Sequence, residues 1–456
     1  MSSPININNL SFCFDSNNMI FAHLSLSIPT SSLSLLTGPS GSGKSTFLKL
    51  LAKLYPNYGG KKISGEIKNL PHNWGMIFQD PDKQFTMSTP KEEFIFTLEN
   101  LNLEQKEAQK RITNAVKQSN ISTLLNRKFT TLSGGEKQRV AFAIILAMQP
   151  ELILLDEPFA NCDPDNRDFL IKQLINLKQK NITIILSDHD LVHYKKLVDQ
   201  VYWCENKTIS SVKFEDIFKP SPNSFHLKQT SKTSTPILKL KNFSLSTQNI
   251  PLITKNNLSL YAGATLLTGK NGSGKSTFFK ALTKMFPYNG QIFFENKDIN
   301  KLKNKKYLIK VGQVFQNSDN QFLMVTVKEE LKFSLAHFHN PLFRHKTIND
   351  LLKLVNLINH QDQVVYSLSG GQKKKLQVLV MILANPNFLL LDEPFAGVDK
   401  TGQQQIINLL KNYYLNQTSE KKGLILISHQ LYNLNNFFNY HLAIKNKHLV
   451  YLQGEE

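Results

Sequence analysis

Short, apolar-rich runs recur along the chain in a fixed order. Leu33 to Thr37, Leu152 to Leu155 and Ile182 to Ser187 are followed by a second set, Thr265 to Thr268, Phe388 to Leu391 and Leu424 to Ser428. The first run of each set is leucine-rich with β-branched residues, and in Leu152 to Leu155 and Phe388 to Leu391 the apolar residues are continuous rather than alternating, the pattern of strands covered on both faces of a parallel sheet. Segments 79–132 and 316–368 turn instead to helix formers, which predicts a mainly helical insertion in each half. Strand runs alternating with helical stretches predict an α/β fold. No run approaches the roughly 18–20 residues that would cross a bilayer.

The two sets are one pattern used twice. Lys44 and Lys275 lie 231 residues apart, Gln79 and Gln316 237, Gly134 and Gly370 236, Asp156 and Asp392 236, His189 and His429 240. Near-constant offsets imply an internal repeat of about half the chain. Segment 219–236 is rich in Ser, Thr and Pro and poor in large apolar residues, so it reads as a linker between domains at 1–218 and 237–456.

Composition changes this picture little. The 456 residues are 41% hydrophobic, ordinary for a globular protein, and each half is long enough for its own core. The formal net charge of +19 suits nucleic acid or an anionic membrane face, and equally suits basic solvated surfaces. Cys13, Cys162 and Cys204 give neither a disulfide framework nor metal-ligand spacing, as expected in a reducing compartment. The first ten residues carry no secretory pattern.

The chemistry sits in the repeated motifs. Gly38-Pro39-Ser40-Gly41-Ser42-Gly43-Lys44-Ser45-Thr46 and Gly269-Lys270-Asn271-Gly272-Ser273-Gly274-Lys275-Ser276-Thr277 both fit G-x-x-x-x-G-K-S/T. In such a loop the backbone N–H groups and a helix N-terminus cradle phosphates. The lysine reaches the outer phosphates and the next hydroxyl, Ser45 or Ser276, ligates Mg²⁺. The acidic pairs Asp156-Glu157 and Asp392-Glu393 end apolar strands, where ligands of open α/β sheets bind. The first carboxylate is placed to hold Mg²⁺, the second to polarise an attacking water. Ser133-Gly134-Gly135 and Ser369-Gly370-Gly371 open helical stretches about twenty residues upstream and offer a second anion site.

With Leu132-Ser133-Gly134-Gly135-Glu136, Leu368-Ser369-Gly370-Gly371-Gln372 and both Leu-Leu-Asp-Glu-Pro strands, nearly all of both halves resembles a tandem ATP-binding cassette ATPase. The resemblance implies two P-loop NTPase domains, each a RecA-like core with an antiparallel β part and a helical insertion. It implies ATP and Mg²⁺ as ligands. Gln79 and Gln316 resemble the glutamine that meets Mg²⁺ and water. Asp163 and Asp399 resemble the aspartates that communicate across the dimer, and His189 and His429 the switch histidines on the γ-phosphate. Phe14 stands where the family stacks an aromatic on adenine, and Leu245 reads as its counterpart. Downstream of the signature serines, Gln138-Arg139 becomes Lys374-Lys375. Family pairing is head-to-tail within one chain, so Lys44 would share an ATP with Ser369, Gly370 and Gly371, and Lys275 with Ser133, Gly134 and Gly135.

Past each glutamine, Asp80-Pro81-Asp82-Lys83-Gln84 and Asn317-Ser318-Asp319-Asn320-Gln321 resemble the motif of energy-coupling-factor transporter ATPases. Asp82 and Asp319 are the expected docking residues for a membrane partner. That resemblance implies an ATP-hydrolysing importer subunit on the cytoplasmic membrane face, driving uptake of a vitamin or metal ion. A transmembrane coupling protein and a substrate-binding membrane protein would complete it, with no nucleic-acid partner. The alternatives are a soluble twin-cassette ATPase on the ribosome, and the tandem ATPase of a sugar importer.

Overall fold

The computed structural model describes residues 3–15, 19–39, 41–79, 81–159, 164–188, 191, 194–218, 227, 236–247, 250–338, 340–416, 422–428, 430 and 434–452. Ser40, Asp163, His189 and His429 lie outside the described residues, as does most of segment 219–236. The chain divides into two compact units, Met1–Pro220 and Ser221–Glu456.

The first unit runs β1 (Ile5–Cys13), β2 (Met19–Ile28), β3 (Leu33–Thr37), α1 (Lys44–Leu51), β4 (Lys61–Lys68), β5 (Trp74–Ile77), α2 (Pro90–Glu99), α3 (Gln105–Ser119), α4 (Gly134–Met148), β6 (Leu152–Asp156), α5 (Pro164–Gln179), β7 (Thr183–Ser187), β8 (Gln200–Glu205), β9 (Thr208–Val212) and α6 (Phe214–Ile217). An antiparallel sheet takes the order β2-β1-β4, and a six-stranded sheet the order β5-β6-β7-β3-β8-β9. The latter is parallel except where β9 returns against β8. Every residue of β3, β6 and β7 is buried, as their apolar-rich sequences with only small hydroxyl residues or a terminal carboxylate allow.

The second unit repeats the plan: β10 (Pro236–Thr247), β11 (Ile250–Tyr261), β12 (Gly263–Gly269), α7 (Lys275–Leu282), β13 (Asn289–Phe294), β14 (Lys297–Asp298), α8 (Asn304–Lys310), β15 (Val311–Val314), α9 (Val327–His337), α10 (Ile348–Leu354), α11 (Gly370–Leu383), β16 (Phe388–Asp392), α12 (Lys400–Leu410), β17 (Gly423–Ile427), β18 (Tyr440–Lys445) and β19 (His448–Leu452). Its sheets take the orders β11-β10-β13-β14 and β15-β16-β17-β12-β18-β19. The helical insertions are α2 with α3 in one unit and α9 with α10 in the other, as the composition predicts.

One sequence expectation fails. Leu245 is buried at 1% exposure in the core beneath the antiparallel sheet, not at an adenine-facing surface. The register explains why. Asn9 and Asn242 both sit at φ 49°, in matching irregularities of β1 and β10. Counting outward from them, Leu245 matches Phe12, which is equally buried, and Phe14 matches Thr247.

Candidate functional site

In each parallel sheet the loop after the central strand turns into a helix with a glycine at its N-cap, Gly43 at φ 103° and Gly274 at φ 97°. At Gly43 a Cβ would stand 2.8 Å from the Ile20 side chain, so backbone freedom and space both demand glycine. The same holds at Gly38, where it would stand 2.3 Å from the Cys204 carbonyl oxygen. Lys44 is 5% exposed and donates to the carbonyls of Gly38 (2.9 Å) and Pro39 (2.8 Å). Lys275 repeats this on Gly269 (2.6 Å) and Lys270 (3.1 Å). Both ammonium groups thus rest on their own loop, at its mouth.

The acidic strand meets that loop. Ser45 donates its hydroxyl to Asp156 Oδ1 at 3.0 Å, and Ser187 donates to the same oxygen at 2.7 Å. Ser187 faces Asp156 in the parallel register of β6 and β7, and its backbone oxygen and hydroxyl both accept from Glu157 N at 3.1 Å. Gln79 Nε2 donates to Glu157 Oε2 at 2.7 Å. Loop, glutamine and both carboxylates therefore converge in the first unit. Burial, then the neighbouring Glu157 charge, pushes the Asp156 carboxyl up, against the opposing effects of Ser187, Ser45 and Lys49. A buried carboxylate beside a second one, with a hydroxyl and a carboxamide at hand, is a hard-oxygen set that fits Mg²⁺. Among the described residues no cluster of three His, Cys, Asp or Glu side chains forms a separate metal site.

The second unit builds its carboxylate differently. Asp392 is also pushed up by burial, and is opposed first by a hydrogen bond from Ser276 and then by the Lys374, Lys275 and Lys280 charges. The residue facing Asp392 from β17 is Ile427, which has no hydroxyl. Lys374 is 4% exposed and donates to the backbone oxygens of Phe315 (3.0 Å) and Gln316 (2.6 Å). Burial lowers its ammonium to about 8, while Asp392 and Glu393 hold it up. Gln138, at the matching position, donates to the Pro158 carbonyl instead, at 2.9 Å.

Ser133 and Ser369 cap α4 and α11 in reciprocal boxes with Glu136 and Gln372. A Cβ on Gly134 would meet nothing within 4 Å, so packing inside the unit does not require glycine there. Gly135 and Gly371 are buried in the same first turns. Asp399 caps α12 through Gly402 N. Asp82 accepts from Lys137 at 2.8 Å and Asp319 from Lys373 at 2.7 Å, so each expected docking carboxylate pairs with the helix of its own signature. Phe14 is 40% exposed and stands edge-on to Phe12 and Tyr55, with ring centroids 5.4 Å apart in each case. Ser187 and Lys374 were not singled out as site residues from sequence. Their placement follows from strand register and helix packing, although the Lys374 exchange was visible.

A protein of Bacillus subtilis (strain 168) named for HMP/thiamine import, the ATP-binding protein YkoD, is 29% identical over 94% of this chain and 87% of its own. An ABC transporter ATP-binding protein of Sulfurisphaera tokodaii is 32% identical over 82% of this chain and 83% of its own. Among solved structures, ribosome-bound archaeal Pelota and ABCE1 includes a chain with TM-score 0.71 and 17% identity, covering 97% of this chain and 78% of that one. No helix of the described residues is long and apolar enough to cross a membrane. The ABC transporter family model matches residues 21–160 and 253–396, over both glycine loops and both acidic strands, and the chain belongs to that family of ATPases.

Proposed function

We propose that the chain is the ATP-hydrolysing subunit of an energy-coupling-factor importer, working with separate membrane proteins. The observation that carries the enzymatic part is the convergence of Ser45, Asp156, Gln79 and Glu157 at the mouth of the first glycine loop. In this reading Lys44 and Lys275 leave their loop carbonyls for the outer phosphates of ATP. Ser45, Gln79 and Asp156, and Ser276, Gln316 and Asp392, would hold Mg²⁺, which when bound neutralises developing phosphate charge. Glu157 and Glu393 orient and polarise the attacking water, and the Gln79 amide fixes the Glu157 carboxylate for that task. The switch histidines His189 and His429 and the communicating Asp163 and Asp399 keep their family roles in this proposal. So does the head-to-tail pairing that the resemblance implies; the open side of Gly134 supports an approach from outside its own unit.

The importer part rests on the Asp82 and Asp319 segments and on the name of the Bacillus subtilis relative, which points to a thiamine-related pyrimidine as cargo. The likeness to the ribosome-bound protein is one of fold at 17% identity and brings no partner with it. Uptake of labelled HMP and thiamine by cells lacking the chain, with and without its Glu157→Gln, Glu393→Gln double variant, tests the reading. Restoration by the native chain alone supports it. Uptake unaffected by loss of the chain would remove the cargo, and ATP turnover surviving the double substitution would remove the assigned roles.

A further inference from the structure

Two linked exchanges separate the sites. Where the first unit sets the Ser187 hydroxyl against Asp156, the second sets Ile427 against Asp392. Where the first has Gln138 turned to Pro158, the second has a buried lysine under the glutamine segment, at Phe315 and Gln316. A third change tightens the same contact. Gln377 donates to the Phe315 carbonyl (3.0 Å) and to Gln321 Oε1 (2.7 Å), and Ala141 occupies its position in the first unit. A neutral hydroxyl has been lost and a buried ammonium gained beside the same pair of carboxylates. At low local dielectric that exchange weighs more than any hydrogen bond it replaces.

We propose that Lys374 is a positioning residue of the second nucleotide site: its fixed ammonium holds the Gln316 backbone and adds beside Asp392 and Glu393 a positive charge that the neutral Gln138 does not add at the first site. Nucleotide binding at the second site then depends less on divalent metal than binding at the first. Electrostatics gives the direction. A cation beside two carboxylates lowers their attraction for a second cation, and it partly replaces that cation in offsetting phosphate charge. The Arg or Lys that a carboxylate cluster accepts at a surface would be weak by comparison, because solvent screens it.

The inference rests on the glycine loops being nucleotide sites, and its test separates the two. A fluorescent, non-hydrolysable ATP analogue is titrated into the full chain in Mg²⁺ and in EDTA, with Lys44→Ala leaving the second loop and Lys275→Ala the first. The ratio of the two dissociation constants is the metal dependence. We expect it to be about tenfold smaller at the second site. Lys374→Gln and Lys374→Met should raise it to the level of the first, Lys374→Arg should keep it low, and Gln138→Lys should lower it at the first site. Equal metal dependence at both sites, or a ratio unmoved by Lys374→Gln and Lys374→Met in a chain that melts normally, overturns the proposal. Weakening by the same factor in Mg²⁺ and EDTA also overturns it, since Lys374 would then only clamp the loop. Binding that survives Lys44→Ala and Lys275→Ala together overturns instead the reading of the loops.

Discussion

Gln79 Nε2 donates to Glu157 Oε2 over 2.7 Å, joining the end of the first edge strand to the end of its neighbour. Glu157 itself is held at φ 48°, an unusual value for a glutamate, with its N–H bonded to Ser187, and Glu393 repeats the conformation at φ 49°. A side chain held by Gln79 on a backbone itself held by Ser187 is set for orientation rather than for packing. Glu157→Gln together with Glu393→Gln should lower ATP turnover by roughly 10²–10⁴-fold, the usual worth of a positioned general base. Nucleotide binding should persist. Gln79→Ala removes one bond to the carboxylate while keeping the carboxylate itself, and should cost less. Coupled-enzyme turnover beside a binding titration checks both, and a double variant that still turns over ATP at the native rate defeats the assignment.

The signature helix gives a cleaner separation of stability from function. Gly134 has an ordinary helical backbone and open space where a Cβ would stand. Gly134→Asp therefore needs no rearrangement, and a carboxylate in the first turn of α4 favours the helix by a few tenths to about 1 kcal/mol. Its melting temperature should be unchanged or slightly raised. ATP turnover should collapse, because the same carboxylate repels phosphate. Parallel loss of folding and turnover would show that the glycine serves the unit's own packing.

Most of the architecture is legible in the chain because buried parallel strands leave unbroken apolar runs, and β6 and β16 show them plainly. The glycine loops carry their own chemistry in their residues, so they are equally visible. The Leu245 error has a different source. A bulge moves a strand's register without altering its apolar character, and only the paired left-handed residues Asn9 and Asn242 reveal the true match. Ser187 was hidden for a related reason: that it touches Asp156 is a fact about two strands side by side, which neither run contains alone. Lys374 looked like one more basic residue in a basic chain until helix packing buried it.

The corrected register changes the expectation for adenine. Phe14 keeps an exposed face beside Phe12 and Tyr55, and its counterpart is Thr247 rather than Leu245. Phe14→Ala should weaken nucleotide binding at the first loop by about 5- to 150-fold, the range of one base–aromatic stack. Thr247→Ala should leave the second loop's affinity nearly unchanged. Titrations in the Lys275→Ala and Lys44→Ala backgrounds read the two sites apart. An affinity at the first loop unchanged by Phe14→Ala would mean that the ring does not meet the base.

The ion pairs of Asp82 and Asp319 differ in setting, and so should their loss. Lys137 and Asp82 have side chains 14% and 58% exposed, against 9% and 32% for Lys373 and Asp319. Solvent screens the first pair, so Asp82→Asn should cost its unit less than about 1 kcal/mol. Asp319→Asn leaves a more buried ammonium without its carboxylate and should cost more, about 1–3 kcal/mol. Urea unfolding followed by a probe in each unit measures the two costs. If the carboxylates also receive a cationic group from a membrane partner, Asp82→Asn should reduce recovery of that partner on purification far more than it reduces stability. Undiminished recovery with both carboxylates neutralised would assign the pairs to holding the signature helices alone.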